Sequence, residues 1–302
     1  MSPPAAFQSR FFTAADGLRL HMRDYGPRAS TALPIVCLPG LARTAGDFDP
    51  LARALCGARR VVALDYRGRG LSERDRDWKN YDILVENADI LNVLTGAGIE
   101  AAIFVGTSRG GLHIMALAAT RPALLRGAVL NDIGPVIEAK GLMRIRGYVG
   151  TLPRPSSWAD AVDLLKATAS AQFTGLDDAD WEAYARLTFE QRDGRFVPQY
   201  DPLLRKGLEA LDFETALPAL WPQFEGLRHI PLLVIRGANS DLLAPATVEE
   251  MLRRHPDGWS HVVPGQGHAP LLRDAATIAR IAAFVRMVSG EPDEDGVPPS
   301  AQ

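Results

Sequence analysis

The chain has 302 residues, 47% of them hydrophobic and 23% charged, with a formal net charge of −3. A chain of this length buries a large core without a disulfide or metal staple, and its near-neutral balance offers no electrostatic footprint for nucleic acid. No stretch approaches 18 uninterrupted apolar residues, so no membrane span is expected, and the opening MSPPAAFQSRFF lacks the charged and apolar regions of a signal peptide.

In chain order, residues 7–14 and 18–25 flank Asp16-Gly17, and a D-G pair between two strand-like runs predicts a hairpin. Short apolar runs follow at 34–38, 60–64, 101–105, 127–130, 232–235 and 259–263. Runs of this kind fit strands buried on both faces of a parallel sheet. Helical patterns lie between them at 47–56, 83–94, 109–119 and 247–254, and one at 275–288 closes the chain. Strands alternating with helices predict a doubly wound α/β sheet with right-handed crossovers.

One interval breaks the alternation. Residues 134–228 show no strand pattern, only helical ones at 139–148, 158–169, 178–189 and 203–211, with many aromatics and prolines. An insertion of this size reads as a helical cap rather than a loop. The expected organisation is a core of residues 1–133 and 229–288, a cap of 134–228, and a disordered acidic, Pro- and Gly-rich tail of 289–302. Cys37 and Cys56 are too few for a disulfide framework, which points to reduced thiols and a cytoplasmic setting.

The chemistry concentrates at Gly106-Thr107-Ser108-Arg109-Gly110, a G-x-S-x-G run between a predicted strand and a predicted helix. A sharp strand-to-helix turn needs small residues two positions either side of a nucleophile, and it lifts the Ser108 hydroxyl above the sheet. Acyl transfer also needs two N–H donors aimed at the developing oxyanion. They are expected from Arg109, the residue after the nucleophile, and from Leu41 in the loop Pro39-Gly40-Leu41. Of six histidines, His268 follows the last strand on a Gly-rich loop and is the candidate base. His113 lies within the helix after Ser108 and should point away, while His21 and His261 fall inside strand patterns. Two acids follow strand ends, Asp132 and Asp241, and both keep the chain order serine, acid, histidine. Asp241 is favoured as the residue that orients His268, with Asp132 the alternative.

Pro39-Gly40-Leu41, Asp65-Tyr66-Arg67-Gly68-Arg69-Gly70-Leu71-Ser72, the Gly106–Gly110 turn, Gly237-Ala238-Asn239-Ser240-Asp241 and Gly267-His268 occur together in one order. In these pieces the chain resembles the α/β-hydrolase fold superfamily along most of its length, and within it the serine carboxylesterases that carry a helical lid. The resemblance implies an eight-stranded, mostly parallel sheet with the lid inserted after the sixth strand. It implies that Asp65, Arg67 and Ser72 fix a loop rather than catalyse. It also argues against dehalogenases and epoxide hydrolases, which carry Asp where this chain has Ser108.

The expected activity is cleavage of a small to medium carboxylic ester through an acyl-enzyme, with no cofactor and no metal. A carbon–carbon bond hydrolase, a lactonase or an acyltransferase would use the same triad, and a ligand receptor on the same scaffold is the non-enzymatic alternative. The expected partner is a small acyl substrate, and the sequence leaves homo-oligomerisation open. Tyr148, Trp158, Phe173, Trp181, Tyr184, Phe189, Trp221 and Phe224 suggest an apolar pocket. Arg43, Arg144 and Arg146 are candidates to attract a substrate carboxylate, weighed against a plain solvated face.

Overall fold

Alternation along the central strands decides the layers. In the runs Ile35–Leu38, Val61–Asp65 and Ala102–Thr107, neighbouring apolar residues send their side chains to opposite faces, and both faces are covered. Val36, Leu38, Val62, Leu64 and Phe104 join one buried cluster; Ile35, Cys37, Val61, Ala63, Ile103 and Val105 join another. The computed structural model describes residues 7–213 and 217–292.

Eight strands form one sheet: β1 (Gln8–Thr13), β2 (Arg19–Tyr25), β3 (Ile35–Leu38), β4 (Val61–Asp65), β5 (Ala102–Thr107), β6 (Leu125–Asn131) and, after the insertion, β9 (Leu232–Gly237) and β10 (Gly258–Val263). Their order is β1-β2-β4-β3-β5-β6-β9-β10. β2 runs antiparallel to β1 and β4, and the remaining pairs are parallel. Helices α1 (Asp49–Leu55), α2 (Ile83–Ala97) and α3 (Arg109–Thr120) lie between the early strands. α2 and α3 cover the first face with Ile90, Val93, Leu94, Ile114 and Leu117, while Leu51 and Ala52 of α1 cover the second.

The 134–228 insertion holds α4 (Ala139–Tyr148), α5 (Trp158–Ala169), α6 (Asp178–Thr188), a hairpin of β7 (Phe189–Arg192) and β8 (Arg195–Pro198), then α7 (Arg205–Glu209) and α8 (Trp221–Glu225). The hairpin departs from the strand-free expectation. Its turn is Asp193-Gly194, both at positive φ (51° and 73°), the two-residue geometry that suits the twist of a hairpin. The helix predicted over 178–189 therefore stops at Thr188, and Phe189 opens the strand. Ala161, Leu165, Phe173, Trp181, Ala185, Phe189 and Phe196 give the insertion a small core of its own. Its main chain is also tied to the loop after β4: Gly70 N donates to Gln199 O (2.8 Å) and Asp201 N to Gly68 O (2.7 Å).

α9 (Pro245–Arg254) and α10 (Ala275–Ser289) complete the fold. The first residues of the expected tail are held on the fold. Ser289 ends α10, Gly290 caps it at φ 66°, and Glu291 pairs with the buried Arg59 at 2.6 Å. The rest of the expected tail, 293–302, lies outside the described residues. Cys37 and Cys56 are both free thiols. No helix among the described residues is long and apolar enough to cross a membrane.

Candidate active site

Ser108 stands alone between β5 and α3, at φ 51°. A non-glycine residue held there stores backbone strain, and it exposes the side chain above the strand end. Both flanking glycines are required by contact. A Cβ on Gly106 would lie 2.5 Å from the Gly110 carbonyl carbon, and one on Gly110 would lie 2.0 Å from Leu38 O. The sequence motif is thus the imprint of two close backbone approaches.

The loop after β3 lies alongside. A Cβ on Gly40 would sit 3.8 Å from Ser108 Cβ. The loop's carbonyls are all engaged: Pro39 O accepts from Tyr66 Oη (3.1 Å), Gly40 O from Arg43 N (3.3 Å) and Leu41 O from Arg69 Nε (2.9 Å). Those bonds fix the peptide planes, including the one that carries the Leu41 amide. Arg109 is the first residue of α3, where the backbone N–H has no intrahelical partner. Its side chain leaves the site and bonds Glu86 (2.7 Å) and Tyr81 O (3.1 Å).

His268 sits on the loop after β10, almost fully buried. Its Nε2 lies 2.9 Å from Ser108 Oγ, and its Nδ1 lies 2.8 Å from Asp132 Oδ2. The expected acid is therefore corrected: Asp132, not Asp241, meets the imidazole. Asp132 directly follows β6 at φ 57°, with its N–H bonded to Ile235 O (2.7 Å), so the β6–β9 pairing turns the side chain toward His268. The carboxylate is fully buried and saturated. Oδ1 accepts from Gly237 N (2.8 Å), and Oδ2 also accepts from Ser240 Oγ (2.6 Å).

Asp241 lies past the end of β9 and turns to the insertion, where Arg144 of α4 holds it by two bonds (2.7 and 2.8 Å). Burial raises the Asp241 pKa, but the Arg144 hydrogen bond and charge more than offset this and leave it below the usual carboxylate value. Asp241 is thus a tie between insertion and core.

Two residues given no site role from the sequence brace the Ser108–His268–Asp132 chain of contacts. Ser240 has its oxygen pinned by Leu242 N and Leu243 N (3.2 and 3.1 Å), which directs its proton at Asp132. Gln172, from the insertion, accepts the His268 backbone N–H through Oε1 (3.3 Å), and its main-chain oxygen accepts from Asn239 Nδ2 (3.1 Å). A Cβ on Gly267 would lie 2.1 Å from that Oε1, so the Gly267-His268 pair in the sequence reflects where Gln172 sits.

Ser108 and His268 open into a cavity of about 360 Å³. Of the eight aromatics expected to shape it, Tyr148, Phe173 and Tyr184 line it. Trp158, Trp181 and Phe189 belong to the insertion's own core, and Trp221 and Phe224 join the main core. Arg43 and Arg144 line the cavity, and each is paired, Arg43 with Asp47 (2.8 Å) and Thr188 (3.0 Å). Arg146 is not part of its wall and lies over the Phe213 ring.

Four of the other histidines bond elsewhere, His255 to Leu227 O (2.9 Å) among them. His21 Nδ1 meets Asp65 (2.7 Å), His261 Nε2 meets Thr277 (3.3 Å), and buried His113 spans Asn87 and Glu86. Burial lowers the His113 pKa. Glu86, also buried, gathers Arg69 (2.6 Å), Arg109 (2.7 Å) and His113 (3.1 Å). Burial raises its pKa, but the two arginines outweigh that and hold it well below the usual range. Arg67 is enclosed by Asp16, Asp75 and Asp89, and Ser72 Oγ donates to Asp65 O (2.7 Å); both brace the loop after β4.

A serine, a histidine and a carboxylate from the ends of β5, β10 and β6 thus meet over one edge of a mostly parallel, helix-covered sheet. That architecture defines an α/β hydrolase, and the chain belongs to the alpha/beta hydrolase family, whose pattern matches residues 35–281. It is 35% identical over 278 residues to the 3-hydroxybutyrate-oligomer hydrolase of Cupriavidus necator, covering 88% of this chain and 92% of that one. An esterase of Escherichia coli (strain K12) is 27% identical over 243 residues, covering 78% and 85%. Among solved structures, an alpha/beta hydrolase from Novosphingobium aromaticivorans is 38% identical, with a TM-score of 0.88 over 94% of this chain and 99% of that one.

Proposed function

We propose that the chain is a serine hydrolase that cleaves small to medium carboxylic esters through an acyl-enzyme intermediate. The observation that carries this is the continuous relay from Ser108 Oγ through His268 to Asp132 at 2.9 and 2.8 Å, opening into a largely apolar cavity. Ser108 Oγ attacks the ester carbonyl carbon while His268 Nε2 takes its proton. The amides of Leu41 and Arg109 hold the oxyanion. His268 then protonates the leaving alkoxide, and the acyl group stays on Ser108. Water, deprotonated by His268, attacks that ester; the acid leaves and the proton returns to Ser108. Asp132 holds the tautomer with Nδ1 protonated and stabilises the imidazolium.

The insertion serves as the lid and shapes the acyl pocket. Relatives named as an esterase and as a hydrolase of a hydroxy-acid oligomer support ester chemistry over the other bonds this triad can break. A fluorophosphonate should label Ser108 covalently, and Ser108→Ala should lower turnover of p-nitrophenyl butyrate by ~10³-fold or more. An unchanged rate in that variant refutes the reading.

A further inference from the structure

The polar part of the cavity wall has a chemistry of its own. Its charged side chains are already paired: Arg43 with Asp47, Arg144 with Asp241, Arg186 with Glu182 (2.7 Å), Arg273 with Asp180 (3.2 Å), and Asp49 with Arg53. The side-chain groups left over can all donate. The hydroxyls of Tyr148 and Tyr184 make no hydrogen bond among the described residues, and Asp241 occupies Nε and Nη2 of Arg144 but not Nη1. These donors form one cluster. The Arg43 guanidinium stacks on the Tyr184 ring at 4.8 Å, and Tyr148, Tyr184 and Arg144 line the same cavity. Burial raises the Tyr148 pKa further above the neutral range, so its hydroxyl keeps a proton to donate.

Each class of substrate group meets this wall differently. A carboxylate would surrender its hydration for cations whose charge Asp47 and Asp241 already cancel. A hydrocarbon chain would cover the donors and leave them unmet. A neutral carbonyl satisfies them at the lower desolvation cost. We infer that the Tyr148–Tyr184–Arg144 cluster is a subsite for an uncharged hydrogen-bond acceptor, and that the preferred substrate is an ester carrying a second neutral carbonyl, as in an ester-linked hydroxy-acid dimer. This rests on the serine-hydrolase reading of Ser108.

Three p-nitrophenyl esters of matched length separate the classes: the 3-acetoxybutanoate with a second ester, the 3-methylhexanoate with hydrocarbon in its place, and the hexanedioate monoester with a free carboxylate. The acetoxy ester should lead both others in kcat/KM by about tenfold, the scale of one or two hydrogen bonds. Tyr148→Phe combined with Tyr184→Phe should bring it to within about threefold of the hydrocarbon ester. The wild-type ranking decides even if that variant does not fold. A hydrocarbon ester equal to the acetoxy ester, or a carboxylate ester in the lead, overturns the subsite while leaving the hydrolase intact. If all three are inert, the serine-hydrolase reading fails and the subsite with it.

Discussion

Replacing Asp132 with asparagine exchanges one oxygen for an NH₂ group and forces a choice between two faces of the carboxylate. On the Oδ1 side stands the Gly237 backbone N–H at 2.8 Å, which cannot turn away. On the Oδ2 side stand the His268 ring at 2.8 Å and the Ser240 hydroxyl at 2.6 Å. Facing Gly237, the NH₂ would oppose a fixed buried donor at a cost of about 1–3 kcal/mol. Facing His268, it meets a rotatable hydroxyl and a ring that can change tautomer, both cheaper to adapt. The amide therefore donates to Nδ1, and the proton moves to Nε2, where it blocks acceptance from Ser108. The expected loss in kcat is ~10⁴-fold, about 5.5 kcal/mol.

Asp241→Asn leaves the Asp132 relay untouched. Its bridge to Arg144 is partly solvated, with 25% of the arginine side chain exposed. Breaking it should cost about 1–2 kcal/mol of stability and change kcat by less than about tenfold, with the larger effect on KM. Steady-state hydrolysis of p-nitrophenyl butyrate by the two variants, with circular dichroism to verify folding, is the assay. A nearly silent Asp132→Asn beside a crippled Asp241→Asn would refute the assignment.

Gln172→Ala removes the acceptor of the His268 backbone N–H and should lower kcat by about 3–10-fold with the pH optimum retained, seen in kcat and pH profiles. Gly110→Ala places a methyl 2.0 Å from Leu38 O, so denaturant unfolding should show a loss of about 2 kcal/mol or more. Glu86→Gln uncovers the buried Arg69 guanidinium and the half-buried one of Arg109, and should cost about 3–5 kcal/mol in the same measurement. The wild-type pH dependence follows the same groups. Glu86 and Asp241 have folded-state pKa values below their ordinary 4.5 and 3.8, so their contributions are fully present above those values and fade as pH falls through them. A stability curve that stays flat from pH 5 down to 3 contradicts this.

The fold was legible because its signals are local. Six apolar runs, five helical patterns between and after them and a D-G hairpin dictate the sheet, and the two glycines around Ser108 are demanded by contacts within a few residues. The β7–β8 hairpin escaped although Asp193-Gly194 repeats the cue at Asp16-Gly17, because its four-residue strands carry Glu190, Gln191, Arg192 and Arg195 and show no apolar alternation. The acid was misassigned for a longer-range reason. Asp132 and Asp241 both follow strands and both precede His268. What separates them is the backbone turn at 132 and the pairing of Asp241 with Arg144, 97 residues away. Arg43 and Arg144 likewise read as free cations until their partners are in view.

The main-chain bonds between Gly68–Gly70 and Gln199–Asp201, joined by Tyr81 Oη to Asp201 (2.7 Å), pin the insertion to the segment between β4 and α2. A hinged flap swinging away as one body would have to break that seam. The α5–α6 side of the insertion has its own ties to the core: Asn239 Nδ2 donates to Gln172 O, Gly175 N to Gly265 O, and Arg43 reaches Thr188. The same Gln172 braces His268, so drawing this side of the insertion away from the core would also loosen the base.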